Sequence, residues 1–166
     1  MRRTSAVLGS LIFLVIAPGF VAGIFPWWIT GWVFHSPLLG FRLIRGIGVA
    51  LIAVGVPMLL DSFARFAVQG LGTPAPVLPT THLVVTGLYR FVRNPMYVGV
   101  SAVIFGQALL FGSVRLLTYG VLIWLAFHLF VLLYEEPKLR SSFDGEYQIF
   151  CQNVPRWIPR IRPWHK

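Results

Sequence analysis

The residues able to do chemistry fall into two stretches: Tyr89-Arg90-Phe91-Val92-Arg93-Asn94-Pro95-Met96-Tyr97, and Tyr134-Glu135-Glu136 with the Pro137-Lys138-Leu139-Arg140 that follows. Proline suits the first turn of a helix, where its missing N–H costs nothing, and asparagine suits the cap before it, so Asn94-Pro95 predicts a helix start. The free N–H groups of that start, with Arg93 beside them, favour a carboxylate or another anion. The same residues would equally make an ordinary capped helix whose arginine sits among lipid headgroups. Adjacent glutamates point about 100° apart on a helix, so Glu135 and Glu136 cannot serve one atom in the same way. One can face a bundle while the other pairs with Arg140; both can also be solvated end groups. His128 lies seven residues before Glu135, on the same face of a regular helix. An ionisable group inside a membrane is a functional candidate, and a neutral histidine bonded to a neighbouring helix is the plainer alternative. No His, Cys or carboxylate grouping has metal-ligand spacing, no glycine motif for phosphates is present, and a Ser-His-Asp arrangement has no support.

The elements that must position these residues are apolar. Of 166 residues, 57% are hydrophobic and 11% charged, less than half the charged share of a soluble domain. The net charge of +9 would suggest nucleic acid in a polar chain, but this apolar composition leaves too little polar surface for such a face. No nucleic-acid partner is therefore expected, and the basic excess reads as orientation in a bilayer. The single cysteine, Cys151, excludes an intrachain disulfide framework. Charge-free intervals of 21 residues (94–114) and 19 residues (116–134) fit one span each, since a spanning helix needs about 20 apolar residues. The 46–60 interval extends through Leu43 and Ile44, and Arg45 and Arg65 can reach from its ends to the headgroups. Asp61 and Arg65, four apart, can neutralise each other there. Residues 5–25 read as a first, uncleaved span with Pro18 kinking it, ahead of an aromatic interface cluster of Phe25, Trp27, Trp28 and Trp32. The 66–89 interval carries Gly70, Gly72, Pro74, Pro76 and Pro79 and reads as a loop.

The expectation is therefore one all-α domain over 1–166, a polytopic membrane helical bundle with four spans near 5–25, 43–64, 96–113 and 115–135. Eleven of the fourteen Lys and Arg residues then fall on one side and only Arg42, Arg45 and Arg115 on the other, which puts both termini and the 66–95 loop in the cytoplasm. Small-residue stripes at Gly99, Ala102, Gly106 and at Gly46, Ala50, Ala53 would let helices approach closely, and Gln107 would bond across helices. Antiparallel third and fourth helices bring the glutamates beside Arg93 and Asn94.

The assembled motifs resemble a known family. Leu83–Gly99, LVVTGLYRFVRNPMYVG, is similar to the signature of integral-membrane methyltransferases related to isoprenylcysteine carboxyl methyltransferase and phospholipid methyltransferases. Gly87, Tyr89, Arg90, Arg93, Pro95, Tyr97 and Gly99 match it, Glu135-Glu136 follow a hydrophobic hairpin, and Val154-Pro155-Arg156-Trp157-Ile158-Pro159 resembles the tail. The likeness covers about residues 60–160, and the Gly72–Pro76 approach looks like bacterial members, which implies a bacterial inner membrane. It implies S-adenosylmethionine bound on the cytoplasmic face between the last two helices and the tail. Tyr89, Arg93, Asn94, Pro95, Tyr97 and Gly99 would lie at the cofactor, with Glu135 or Glu136 fixing its amino or ribose groups. Arg140 or Arg156 would hold a carboxylate of acceptor or cofactor, so Glu135, Glu136, Arg140 and Arg156 are the catalytic candidates. Asn94 stands where the isoprenylcysteine enzymes have histidine, and asparagine does not titrate, so no general base is assigned there. The implied acceptor is an amphiphilic or isoprenoid-like molecule entering from the bilayer, with carboxylate O-methylation favoured over amine N-methylation. The competing functions are an NADPH-dependent membrane reductase of the steroid-reductase type and a non-catalytic membrane scaffold.

Overall fold

The computed structural model describes residues 12, 14–68 and 83–165. Helix α1, Leu14–Thr30, is followed by α2, Leu43–Val68, and then α3, Pro95–Phe111. Helix α4, Val114–Phe130, passes through a π-helical turn, Val131–Glu135, into α5, Glu136–Asn153. Short 3-10 turns occupy Leu38–Gly40 and Gly87–Arg90. Leu43–Arg65 and the continuous Val114–Asn153 helix are long and apolar enough to cross a bilayer; α1 and α3 are apolar but shorter.

The ends of these helices follow from local chemistry. Pro95 begins α3 and is fully buried. Gly112 ends it with a φ of 70°, and a Cβ there would also run into the Ser36 carbonyl. One residue later Ser113 caps α4, its hydroxyl accepting the Leu116 N–H at 3.2 Å. With Gly112 and Ser113 alone between them, α3 and α4 form a tight antiparallel hairpin, and the start of α3 lies beside the end of α4.

The most extensive helix contact is between α2 and α3, and glycine makes it possible. A Cβ on Gly48 would lie 2.6 Å from the Gly106 carbonyl oxygen, and one on Gly55 would lie 2.8 Å from that of Gly99. The reciprocal positions are as tight: 2.7 Å from Gly106 to the Gly48 oxygen and 2.9 Å from Gly99 to that of Gly55. Two glycine pairs thus set the backbones against one another, which in lipid substitutes packing for the missing hydrophobic drive. The stripe expected on α2 is corrected by this crossing: Gly46, Ala50 and Ala53 are exposed, and Gly48 and Gly55 face the partner helix. An apolar helix with no polar face carries no phase in its composition, so the inward face was not readable from small residues alone. Leu59, Phe63, Val100, Val103, Ile104, Ala108 and Leu116 fill the core, with Ala22 from α1.

Other expectations shift in extent. The first helix continues to Thr30, through a π-helical turn at Phe20–Ile24, and residues 5–11 and 13 of the expected span lie outside the described residues. Helix α2 runs on to Val68; Gly70, Gly72, Pro74, Pro76, Pro79 and His82 also lie outside them. The fourth helix does not finish at Glu135-Glu136: Pro137 falls in the first turn of α5, where proline is tolerated, and the chain stays helical to Asn153 apart from a non-helical Asp144. Asp61 and Arg65 pair at 2.7 Å, and Gln107 bonds across helices, donating to the Ala22 carbonyl at 2.7 Å and accepting from the Trp32 indole at 3.2 Å.

Candidate active site

The start of α3, the end of α4 and the C-terminal tail meet at one end of the bundle. The tail is strapped onto the segment before α3 by backbone hydrogen bonds of 2.9 Å each: Arg93 N–H to Pro155 O, Arg160 N–H to Phe91 O, and Trp164 N–H to Arg90 O. Arg90 adds a side-chain bond from Nε to the Trp164 carbonyl at 2.7 Å. Val92 and Val154 are fully buried under this strap, while Tyr147, Phe150 and Val154 form a small core of their own against Leu83, Val85 and Trp164.

Glu136 lies at the centre of the charged groups. Its side chain is only 6% exposed; Oε1 accepts from Arg156 Nε at 2.6 Å and from Arg93 Nη1 at 3.1 Å, and Oε2 accepts from Arg156 Nη2 at 3.1 Å. Arg140 stands 3.8 Å away with a side chain 66% exposed, at the wet edge of the network. The bond to Glu136 holds the Arg156 guanidinium above its ordinary proton affinity. Arg93 also donates from Nη1 to Cys151 Sγ at 2.8 Å, and its buried Nε has no partner among the described residues.

Glu135 points elsewhere. Its Oε2 accepts the Tyr97 phenol at 2.9 Å, and its second oxygen has no hydrogen bond among the described residues. Tyr89 is buried in the turn before α3; burial first, and the Glu135 charge second, push its phenol above the ordinary range, so it stays neutral. Asn94 occupies the cap position of α3 without capping it, and donates from Nδ2 to the Arg156 carbonyl at 3.2 Å. The expected side-chain cap is therefore replaced by a tie to the tail.

The π-helical turn explains the division between the two glutamates. It spends one more residue per turn than an α-helix, so everything after it is rotated by about one residue position, roughly 100°. The register of His128 with Glu135, expected from their spacing of seven, is lost. Instead His128 and Glu136 both meet the tail, at the consecutive residues Trp157 and Arg156, while Glu135 turns to α3.

Of the expected site residues, Arg93, Asn94, Glu136 and Arg156 form one network, Tyr97 and Glu135 an adjoining pair, and Tyr89 a buried neighbour. Pro95 serves as the first residue of α3, and Gly99 packs on Gly55 at the helix crossing, outside these bonds. Sequence reasoning missed Cys151 and the contact between His128 and Trp157; the position of Trp157 directly after Arg156 was the available signal for the second.

Comparisons with known proteins show what the chain is similar to. A family model described as phospholipid methyltransferase matches residues 43–146, which hold α2 to α4 and the glutamate pair. The chain is 37% identical to a protein-S-isoprenylcysteine O-methyltransferase of Schizosaccharomyces pombe over 82 residues, 48% of this chain and 34% of that protein. It is 33% identical to a phosphatidylethanolamine N-methyltransferase of Laccaria bicolor over 112 residues, 66% of this chain and 12% of that protein. The chain thus spans about a third and about an eighth of the lengths of these relatives. No solved structure matches the chain.

Proposed function

Because the chain belongs to the phospholipid methyltransferase family of membrane methyltransferases, we propose that it moves the methyl group of S-adenosylmethionine to an amphiphilic acceptor at the membrane surface. The observation that carries this reading is the pairing of Tyr97 with Glu135 at 2.9 Å beside the Arg93–Glu136–Arg156 network. S-adenosylmethionine presents a cationic amine, a carboxylate and a ribose diol, and supplies a methyl group already activated by its sulfonium. The residues present fit those groups. Glu135 keeps an oxygen for the amine or the diol, and the buried Nε of Arg93 suits a carboxylate. Glu136 is committed to guanidinium groups on both oxygens, so its role is to position Arg93 and Arg156 rather than to touch the cofactor. Arg140, mostly exposed, stays at the wet edge of this network.

Methyl transfer asks the protein mainly to align two reactants in a dry pocket. The strap of the tail over residues 90–93 supports that role by fixing Arg93 and Asn94 from both sides. A carboxylate acceptor needs no base, whereas an ammonium must first lose a proton. Asn94 cannot take that proton, Glu136 is ion-paired, and the open oxygen of Glu135 is assigned to the cofactor, which together favour carboxylate O-methylation. The cation asymmetry read from the sequence supports a site on the cytoplasmic side, with both ends of the chain there.

Calorimetry on protein purified in detergent tests the reading. S-adenosylmethionine is expected to bind the unaltered chain and to bind Glu135→Ala at least tenfold more weakly. Absence of binding, or binding unchanged in both Glu135→Ala and Glu136→Ala, would sink it.

A further inference from the structure

The tail places one residue beyond Arg156 against α4, and this contact makes a second polar feature. Trp157 donates from its indole N–H to Nδ1 of His128 at 3.0 Å. The His128 ring is stacked on Trp124, with centroids 5.2 Å apart and planes 17° from parallel, and lies 5.7 Å from the Trp157 ring. An indole nitrogen can only donate, so Nδ1 must be the unprotonated nitrogen of a neutral ring and Nε2 carries the hydrogen. That Nε2–H makes no hydrogen bond among the described residues, although the ring is half-buried. The tautomer, the plane and the direction of the donor are thus all set by neighbours, and the donor itself is unspent.

The position bears on what it would meet. The patch adjoins the charged network twice: Trp157 follows Arg156, and Phe127, beside His128, packs on Tyr97 at 4.8 Å between ring centroids. His128 sits about two helical turns from Glu136, on the order of 10 Å, and Trp124 a further turn toward the apolar part of the helix. A lone donor between an arginine-rich polar site and an aromatic wall matches a molecule with an oxygen-bearing head and an apolar chain.

Resting on the methyl-transfer reading above, we propose that His128 holds the methyl acceptor, its Nε2–H donating to an oxyanion of the acceptor's head while the chain lies along Trp124 and Trp157. It acts by binding and orienting. Its one lone pair is engaged by Trp157, so it is not the base that would deprotonate an amine. The head chemistry is a phosphate or a carboxylate, and two probes separate those sources: lysophosphatidylethanolamine and N-acetyl-S-farnesylcysteine.

Each probe is titrated by calorimetry into the full-length chain in a neutral detergent, for wild type, His128→Ala and His128→Gln, with S-adenosylmethionine titrated in parallel. One probe is expected to bind wild type and to lose about tenfold or more in His128→Ala, in the range of a hydrogen bond to a charged group. His128→Gln, whose amide N–H reaches near the place of Nε2, is expected to recover most of that loss, and S-adenosylmethionine affinity should stay within twofold throughout. Failure of both probes to bind wild type overturns the proposal, as does equal binding by His128→Ala. A parallel fall in S-adenosylmethionine affinity also overturns it, since the ring would then only dock the tail. A wild type that binds a probe but not S-adenosylmethionine would overturn the methyl-transfer reading and leave the oxyanion site standing.

Discussion

Glu135 and Glu136 are neighbours with the same side chain, yet their surroundings give them different partners. Glu136 is buried among three guanidinium groups, and removing it would leave Arg93 charged and buried without its partner. Breaking a buried pair from one side costs about 3–5 kcal/mol, so Glu136→Ala is expected to lower the unfolding midpoint in detergent markedly. Arg140→Ala, which removes only the exposed member at 3.8 Å, should change stability by less than about 1 kcal/mol in the same assay. Tyr97→Phe removes a single bond to Glu135 and should leave the midpoint nearly unchanged while weakening S-adenosylmethionine binding several-fold, as read by calorimetry. The nearness of Arg93 to the glutamates was legible from the sequence, because a hairpin of two spans of similar length must bring its ends together. Which glutamate would take the arginines was not legible, since both lie within reach and only the local helix geometry chooses.

That geometry belongs to the elements. The π-helical turn at Val131–Glu135 is a rotation device, and one extra residue is enough to make it. Deleting the exposed Leu133 is expected to return the segment to a regular helix and swing both glutamates by about 100°. S-adenosylmethionine binding should then disappear while helical content by circular dichroism persists, and Leu133→Ala should keep both. The crossing of α2 and α3 offers a second test at this scale. Gly55→Val would drive its side chain into the Gly99 carbonyl, 2.8 Å from the new Cβ, and should destabilise the bundle; Gly46→Ala, with open space around it, should not. Thermal unfolding in detergent separates the two. Hydropathy locates such helices well and phases them badly, because lipid and packed helix favour the same apolar side chains.

At the scale of the whole molecule, the tail closes over the candidate site that the helices begin. It returns along residues 90–93, supplies Arg156 to Glu136 and Trp157 to His128, and buries Val92 beneath it. Truncation after Asn153 is therefore expected to abolish S-adenosylmethionine binding while the bundle still inserts in membranes. The sequence by itself determined that this is a helical membrane protein, where its apolar segments lie, and where its scarce polar residues gather. Charge is so costly in a bilayer that its few occurrences mark either an end or a site. Only the tertiary structure decided that the last helix runs past Glu136, that Gly48 and Gly55 form the inner face of α2, that Glu136 collects the arginines, and that the tail orients His128. These outcomes turn on helix phase and on contacts between segments that lie 20 or more residues apart in the chain. Such relations depend on how backbones meet in space, and composition along the chain does not contain them.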